Sequence, residues 1–556
     1  DFRGGTFQND TAITEEGARA ASGGAIHAEA CGAAGSPIVR LTDVTCGGNE
    51  PQAQDDAGQA RGGAIHTVND LEAASADNAY LNNKALAGPE IGSNGTASAY
   101  GGAIYSTTNL TTVGDTYTGN EAGTFSANGT AFGGALYAQG AINVRNAEFT
   151  GNKALASNGG KAYGGGMYAA SGQSHTVTNS SFIANEATTA GGAIFVDTKS
   201  GSTSTLTLDA TASGDKIVIS GNTAGGKADG IYFGSSDLTN TAAGRLNITG
   251  QGLVKLLDPV TADLNNQAFT FNKSNTGELH WGGTNVLNSG TGGSNINLTQ
   301  GKTVFTNDFT VNVGAGGSAL KVNVAGGGNR NELGFDTSRS NNLAIFDYTG
   351  TASTSYFAAD TNTTVSVYGA QDGGRQILDI SGSYILAANT EGHAALDAQL
   401  RTAKNNMTAG QGVTGFEVDN NNLMVNVDYD NPEQDRLRDA GANTWSGRFA
   451  LQELVSAEYG VINDDEFAAI RRNYSAVTSE YGMVQGRVSL DTTTGIFEKA
   501  RLTGLNNYWK TRNGESVPSA GGSEGGFRAW AGYIGNFQNT DRDGGYFGYQ
   551  ADTNGA

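Results

Sequence analysis

Residues 101–105 read GGAIY, and this block recurs along the first 232 residues of the chain. Its copies begin at Gly23, Gly62, Gly101, Gly133, Gly164 and Gly191, with a degenerate copy, ADGIY, from Ala228. Successive copies start 27 to 39 residues apart. A period of this length indicates a solenoid, in which a unit buries its apolar face only by stacking on its neighbours.

A second block, an apolar residue followed by two residues and Asn, lies between the copies of the first. Its copies end at Asn49, Asn83, Asn120, Asn152, Asn185 and Asn222, and residues 7–10 form a partial copy. In the four units from Gly62 to Asn185, the Gly pair and the Asn are 19 to 21 residues apart. This steady spacing predicts that Asn stacks on Asn. We expect the stacked amides to satisfy turn amides along one edge.

The residues between the two blocks alternate in polarity. Ile142 and Val144 alternate with Asn143 and Arg145, and Phe149 follows in the same manner, which is typical of half-buried strands. Each unit therefore offers about three short strands, joined at Gly corners that tolerate a positive φ. Strands of successive units pair in parallel at a rise of about 4.8 Å. The predicted fold is all-β, a right-handed single-stranded parallel β-helix.

The β-helix is predicted to cover residues 1–430, with less regular coils from Gly244 onwards. One buried stack should form from the same position of each GGAI block: Ile26, Ile65, Ile104, Leu136, Met167 and Ile194. Insertions concentrate between the Asn and the next Gly pair. Loops such as Ala85–Tyr100 and Ala154–Tyr163 are therefore expected to project from one side, where recognition residues usually lie.

The paired GGA[I/L] and FxxN motifs resemble the polymorphic outer membrane protein repeat of type V autotransporters. The resemblance covers roughly residues 1–234, and the copy at Cys46 departs from it because Cys replaces the aromatic residue. It implies an autotransporter passenger, exposed on the cell surface or secreted, whose own C-terminal barrel lies in the outer membrane.

The Gly-rich pattern stops after Pro432, and the last third of the chain changes character. Residues 431–524 are predicted to be a partly helical linker, with helical spacing of apolar residues between Trp445 and Leu502. Residues 525–556 resemble the first strands of an autotransporter β-domain, because aromatic residues such as Trp530 and Tyr533 alternate with small ones before a polar turn. We expect the chain to be a fragment, lacking an N-terminal signal and the remaining barrel strands.

The composition and net charge of the chain limit its fold class and the classes of molecule that it can bind. The chain has 556 residues, 84 Gly, 6 Pro and a formal net charge of −21. The absence of a Gly-X-Y period excludes collagen. The sequence has no run of 18 or more apolar residues, so no transmembrane helix is predicted. An acidic surface repels nucleic acid and anionic headgroups, so no nucleic-acid partner is predicted.

The two cysteines, Cys31 and Cys46, either form a disulfide after export or leave Cys46 as a small apolar core residue.

No catalytic, cofactor or metal site is predicted. His27 and His66 occupy the same repeat position and are expected to stack, but no third metal ligand recurs with them. A polysaccharide-cleaving site would require a cluster of carboxylates, often with a basic residue. Asp197, Asp209 and Asp215 are close in sequence, but no basic residue recurs in register with them. Neither a Gly-Asp-Ser-Gly nucleophile motif nor a phosphate-binding loop occurs.

These observations favour a non-enzymatic adhesin or structural spike, a monomeric passenger that binds a host-cell surface protein or glycan. The alternative is a glycan-acting β-helix enzyme, a lyase or hydrolase, which needs an acidic groove with aromatic subsites. A third hypothesis is a structural surface layer without a specific ligand. Convergent carboxylates on the exposed sheets would favour the enzyme, whereas scattered Asn, Thr and Ser would favour adhesion or scaffolding.

Overall fold

The computed structural model describes most of the chain up to residue 429. The described ranges are 2–14, 20–28, 39–68, 70–73, 77–88, 94–237, 239–306, 308–314, 319–336, 342–350, 353–368 and 380–429. The predicted linker 431–524, the predicted barrel strands 525–556 and Cys31 lie outside the described residues. Nearly all described strands belong to one compact unit, Asp1–Tyr368 with Gly382–Val427.

The described chain is an all-β solenoid built on parallel sheets, as predicted. In the repeat region each coil passes in turn through four sheets, here called C, D, A and B. The strands of sheet C are Ala20–Ser22, Gln59–Arg61, Ser98–Tyr100, Thr130–Phe132 and Lys161–Tyr163. The strands of sheet D are Ile26–Ala28, Ile65–Thr67, Ile104–Ser106, Leu136–Ala138, Met167–Ala169, Ile194–Asp197, Ile231–Gly234, Val260–Asp263, Thr284–Asn288, Thr310–Asn312, Phe346–Asp347, Ile380–Ala388, Val413–Asp419 and Asn422–Tyr429.

Sheet A is the longest and usually receives two strands from a coil. Its strands are Phe2–Gln8, Val39–Gly47, Leu71–Ala73, Ala79–Leu81, Leu110–Val113, Thr116–Thr118, Ile142–Arg145, Glu148–Thr150, Ser174–Thr178, Ser181–Ile183, Ser204–Ala210, Lys216–Ser220, Gly244–Gly250, Leu253–Leu256, Phe269–Trp281, Ser294–Phe305, Leu320–Asn323, Asn331–Asp336, Tyr356–Ala358, Thr363–Tyr368 and Thr408–Ala409. Those of sheet B are Thr11–Thr14, Glu50–Ala53, Lys84–Ala87, Glu121–Thr124, Lys153–Ala156, Glu186–Ala187, Thr223–Ala224 and Lys227–Ala228.

The predicted aliphatic stack is confirmed. Its six residues pair in register along sheet D, and none is more than 6% exposed. A second inward stack follows sheet A: Phe7, Cys46, Tyr80, Tyr117, Phe149, Phe182, Ile219, Leu256, Trp281, Phe305, Phe335 and Val367. Burial of a large apolar side chain contributes about 1.5–3 kcal/mol relative to exposure, so these two stacks are a major source of stability.

Cys46 occupies an aromatic position of the second stack. Its side chain is fully buried between Phe7 and Tyr80, and its thiol is free. Burial, with a smaller contribution from Asp10, raises the pKa of this thiol to about 12. Cys46 therefore serves as a small apolar core residue, the second of the two roles considered above.

A ladder of buried asparagines, the Asn ladder, follows the corner between sheets A and B: Asn49, Asn83, Asn120, Asn152, Asn185 and Asn222. Asn152 Oδ1 accepts from the backbone N and Nδ2 of Asn120 at 3.0 and 2.9 Å. Its Nδ2 donates to Tyr117 O at 2.9 Å. The same bonds recur from rung to rung, so the expectation that stacked Asn satisfies turn amides is confirmed.

The strand count per unit differs from the prediction. The three units from Gly62 to Tyr163 hold five described strands each, because the predicted loops contain two more: Lys84–Ala87 and Ser98–Tyr100 in one unit, Lys153–Ala156 and Lys161–Tyr163 in another. These strands bury mainly alanines, which form one cluster between sheets B and C. Of the described residues in these predicted loops, short connections from sheet B to sheet C, such as residues 157–160, remain as loops, and the sheet order places them along one side.

Beyond the repeats the coils simplify. Sheets B and C have no described strand after Ala228, whereas sheets A and D continue in parallel register to Thr408–Ala409 and Ile380–Ala388. Equivalent residues of successive coils are 25 residues apart from Asn247 to Asn297, but 30 to 35 residues apart further on, as for Gly301 and Asn331 or Lys321 and Tyr356. The expectation of less regular coils beyond Gly244 is therefore confirmed.

The prediction of an uninterrupted parallel β-helix to residue 430 is wrong at its end. The helix Ala394–Asn406 interrupts the coils and buries Leu396, Leu400 and Ala403 along one face. Val413–Asp419 and Asn422–Tyr429 then form an antiparallel hairpin. The intervening Asn420 and Asn421 both have positive φ, 46° and 65°, which is the backbone that a two-residue hairpin turn requires.

Candidate binding site

The GGAI blocks build a re-entrant corner on the outside of the solenoid, between sheets C and D. Ala99 and Ile104 are fully buried, so their neighbours Tyr100 and Tyr105 point away from the core. These two outward rings nevertheless meet, with centroids 5.8 Å apart and planes at 68°. Outward side chains from adjoining sheets touch only where the outer surface is concave.

The Gly pair permits this corner. Gly101 has a φ of 59°, and a Cβ there would lie 2.0 Å from Ile104 O. A Cβ on Gly102 would lie 2.0 Å from Gly134 O of the next coil. Both positions therefore exclude every residue with a side chain unless the backbone shifts.

Aromatic rings line the corner in two columns, here called the aromatic strip. The sheet C column is Tyr100, Phe132 and Tyr163, and the sheet D column is Tyr105, Tyr137, Tyr168, Phe195 and Tyr232. Within the columns, successive rings stack at 5.2 to 5.9 Å. Contacts between the columns are mostly edge-to-face or tilted, for example Phe132 to Tyr168 at 4.8 Å. Such pairs are worth about 0.5–1.5 kcal/mol beyond the area they bury, so the strip is a rigid surface.

The strip is open over its first coils and closed at Tyr163, Tyr168 and Phe195, whereas its last ring, Tyr232, is half-buried again. Tyr100, Phe132 and Tyr137 are half-buried, leaving part of each ring accessible. Tyr163 and Tyr168 are only 4% exposed and Phe195 is fully buried. Tyr105 is also buried, beneath its neighbours and Arg61, whose guanidinium lies 5.4 Å from the ring centroid.

Polar side chains run beside the open part. Gln59, Ser98, Thr130 and Lys161 pair in register on sheet C and point outward on the face that carries the rings. The hydroxyls of Ser98 and Thr130 are 2.9 Å apart. The open strip thus combines apolar ring surfaces with a row of hydrogen-bonding groups.

A loop covers the closed part. Residues Ser235–Asp237 and Thr239–Thr241, here called the end loop, follow the sheet D strand Ile231–Gly234. Tyr163 Oη donates to Ser236 O at 3.1 Å. Tyr168 Oη donates to Asp197 Oδ2 at 2.7 Å and lies 3.4 Å from Ser236 Oγ.

Charged groups surround this closure. Lys199 Nζ lies 2.6 Å from Asp237 Oδ2, with side-chain exposures of 53% and 38%. Burial raises the pKa of Asp197, against hydrogen bonds from Tyr168 and two backbone amides. Although desolvation alone would raise the pKa of Asp237, hydrogen bonds from Lys199, Thr239 and Ser235 hold it well below its usual range. Asp237 is therefore ionised at neutral pH.

His27 and His66 meet as expected, at the other end of the strip. Their Nδ1 atoms are 2.9 Å apart, and the His66 ring packs 4.9 Å from that of Tyr105. Burial, with smaller effects of His27 and Arg61, lowers the pKa of His66 to about 4. His66 is neutral above that pH and extends the aromatic column. Among the described residues, no group of three or more His, Cys, Asp or Glu side chains is placed to hold a metal ion.

The three candidate carboxylates do not converge. Asp197 belongs to sheet D and is bonded to Tyr168. Asp209 is on sheet A, where its Oδ1 accepts from Thr249 at 2.9 Å. Asp215 follows in a turn and accepts from Thr211 Oγ1 at 2.7 Å. A basic residue, Lys199, does lie near Asp197, but its ion-pair partner is Asp237. Asp237 was not among the candidate residues predicted from the sequence.

The sequence does hold a signal for the strip. Three copies of the block have an aromatic residue immediately before the Gly pair and another at the last position of the block: Tyr100 and Tyr105, Phe132 and Tyr137, Tyr163 and Tyr168. The aromatic residue that ends each block was noted above, but the one preceding each Gly pair was not. Read together, the two positions place one ring on each side of these three Gly corners.

Along the described chain, no helix has the length and apolarity needed to cross a membrane. Comparison of the chain with known protein families and with curated protein sequences gave no match.

Proposed function

We propose that this protein is a surface-displayed adhesin, the passenger of an autotransporter, and that its aromatic strip binds a neutral glycan chain. The observation that carries the proposal is the open strip itself, in which half-buried rings with accessible surface lie beside a row of polar groups on the solenoid. The cell-surface location and the export route rest on the repeat resemblance, with which a parallel β-helix agrees.

The chemistry of the strip suits sugars. The faces of many pyranose rings present C–H groups, which pack on aromatic rings, while their edges present hydroxyls that exchange hydrogen bonds. Tyr100, Phe132 and Tyr137 offer the ring surface, and Ser98 and Thr130 offer the hydroxyls. Binding sites of this kind combine apolar surface with a few polar groups that fix orientation.

The net charge of the chain and the spacing between coils restrict the class of glycan that the strip can bind. A net charge of −21 disfavours polyanionic chains, so the preferred ligand is neutral. Successive coils repeat the ring positions at about 4.8 Å, which is comparable to the length of one sugar residue. An extended chain lying along the solenoid therefore meets equivalent groups at each sugar.

The separation of Asp197, Asp209 and Asp215 supports binding over cleavage. Glycoside hydrolysis uses two carboxyl groups on either side of the scissile bond, about 5–10 Å apart. Asp209 and Asp215 belong to sheet A and its turn, away from the strip between sheets C and D. The enzyme alternative thus lacks support from these three residues.

The test is binding of the full chain to linear neutral hexaoses of glucose and N-acetylglucosamine with different linkages, followed by calorimetry on the sugars bound. Phe132→Ala and Tyr137→Ala should each weaken binding about tenfold, which corresponds to about 1.4 kcal/mol. Asn143→Ala, on the exposed face of sheet A, is the matched control and should bind normally.

Far-UV circular dichroism and the denaturation midpoint must stay close to those of the wild type for the comparison to hold. The proposal fails if no sugar of the panel binds, or if sugars bind equally to the wild type and to both ring variants.

A further inference from the structure

We infer that the aromatic strip is a chain-end site: it takes the terminal sugars of a neutral glycan, and the end loop with Asp237 and Lys199 receives the last one. This inference rests on the proposed function and specifies the part of the glycan that is bound. It follows from the closure of the strip at one end and from the groups exposed at that closure.

The strip stops being accessible within one coil. Phe132 and Tyr137 are half-buried, but Tyr163 and Tyr168, the equivalent residues of the next coil, are 4% exposed. The sequence of the coil is not the cause, since both positions remain aromatic. The cause is the end loop, whose Ser236 lies against both tyrosine hydroxyls.

The end loop is fixed in place by bonds to three coils. Asn240 Nδ2 donates to Asp263 O at 3.0 Å, and Asn240 Oδ1 accepts from Thr198 Oγ1 at 2.5 Å. Thr241 Oγ1 donates to Lys199 O at 2.7 Å. Together with the Tyr163 bond to Ser236, these contacts oppose displacement of the loop by a ligand. A glycan lying along the strip therefore cannot continue past Tyr137 on the same line.

The closure carries the groups that a terminal sugar requires. Asp237 and Lys199 are an exposed pair, one acceptor and one donor, directly beside the covered rings. A charged donor or acceptor makes hydrogen bonds roughly twice as strong as neutral ones. A sugar at the end of a chain has one more free hydroxyl than an internal sugar, and this pair offers both partners for it.

The length of the open strip sets the number of sugars. On the open side of the end loop, accessible rings come from two coils, those of Tyr100 and Phe132, and the coil of Arg61 precedes them. Three coils at about 4.8 Å each accommodate two to three sugars. Affinity should therefore rise up to about three sugars and then become constant.

The test uses the sugar of the panel that binds, as a long polymer and as the same mass of polymer cut to oligomers of four to six units. Each competes with a labelled hexaose for the full chain. A chain-end site makes the cut sample more potent per gram, in proportion to its greater number of ends. A site for internal sugars makes the two samples about equal per gram.

Variants test the role of the end loop separately from glycan binding. Asp237→Asn and Lys199→Met should each weaken hexaose binding at least fivefold, and Asp215→Asn, a half-buried carboxylate in a turn between two sheet A strands, should leave it unchanged. Because Asp237→Asn could loosen the end loop, the denaturation midpoint is measured for each variant.

Equal potency per gram, together with loss of binding in Phe132→Ala, would overturn chain-end recognition while leaving glycan binding intact. Normal binding by both loop variants would equally overturn the assigned role of Asp237 and Lys199. If no sugar of the panel binds, the proposed function fails and this inference fails with it.

Discussion

Asn152 Nδ2 donates a hydrogen bond of 2.9 Å to Oδ1 of Asn185, although the two residues are 33 positions apart in the chain. The same Oδ1 accepts from the backbone N of Asn152 at 3.0 Å. Each rung of the Asn ladder therefore binds both the side chain and the backbone of the rung before it. This relation fixes the register between coils more strictly than apolar stacking does, because stacked apolar side chains tolerate small shifts.

Removing one rung should destabilise the coils on both sides. Asn152→Ala leaves the backbone N and Nδ2 of Asn120 without an acceptor in a fully buried position. Each unsatisfied group costs about 1–3 kcal/mol, so a clear shift of the urea denaturation midpoint to lower concentration is expected. Asn143→Ala, exposed on sheet A, is the control. A midpoint unchanged in Asn152→Ala would refute the structural role of the ladder.

Asp115 gives the described region a pH dependence. Burial raises its pKa to about 6, against hydrogen bonds from Thr112 and Asn78. Because the folded state holds this proton more tightly than the unfolded state, stability falls as pH rises from about 4 to about 6. A shift of about two units corresponds to about 3 kcal/mol.

Asp115→Asn should remove this loss and stabilise the protein at pH 7. The amide oxygen still accepts from Asn78 N and Nδ2, as Oδ1 does now at 3.2 and 2.9 Å. The amide nitrogen faces Thr112 Oγ1, which can accept instead of donating. Denaturation midpoints of both proteins at pH 4, 5, 6 and 7 test the prediction. Parallel curves would show that Asp115 does not titrate in this range.

Lys273 is fully buried and should respond to pH in the opposite direction. Its Nζ donates to Gly277 O and Gln300 O at 2.7 Å and to Asn275 O at 3.2 Å. Burial lowers its pKa to about 8, with Glu278 opposing the change. The unfolded state holds the proton more tightly here, so stability rises between pH 8 and about 10.

Lys273→Met should abolish this rise and destabilise the protein at pH 7, because three carbonyls, that of Gly277 in a buried position, lose their donor. Lys255→Met, a half-buried lysine on the outer face of sheet A, serves as the control. Thermal midpoints between pH 7 and 10 provide the measurement. A variant as stable as the control would contradict the role assigned to Lys273.

A charge in the aliphatic stack should unfold the adjoining coils. Ile104 is fully buried and pairs with Ile65 and Leu136, so Ile104→Asp leaves a carboxylate without a partner in an apolar environment. Val113→Asp, on the outer face of sheet A, should fold normally. Limited proteolysis locates the damage, which should lie in the coils around residues 65–136. Equal resistance of the two variants would show that the register is wrong.

The sequence predicts those parts of the fold that repeat at fixed spacing. The position of Ile104 within its block was sufficient to place it in register with Ile65 and Leu136, because every copy keeps the same offset from its Gly pair. Strands such as Ser98–Tyr100 were missed, since three residues that bury a single alanine give almost no alternation signal. The hairpin turn at Asn420 and Asn421 was readable from its residue types but was assigned to another coil.

The aromatic strip was harder to predict for a physical reason. Tyr105 follows Ile104 directly, and the alternation of strand side chains indicates that one points in and the other out. Alternation does not reveal that the outer surface is concave at that point, which depends on the angle at the Gly101 corner. On a flat sheet an outward aromatic side chain would be an exposed ring. At this concave corner it is part of a packed column instead.

The pairing of every repeat strand with only the coil before and the coil after has a consequence for how such a protein changes over evolutionary time. Duplication or loss of one whole coil alters a single pair of interfaces and leaves all others as they were. Each event changes the reach of the solenoid by about 4.8 Å and adds or removes one ring from each column of the strip. The length of the solenoid and the number of rings that contact a ligand can therefore change in discrete steps during evolution, while the fold of the remaining coils stays the same.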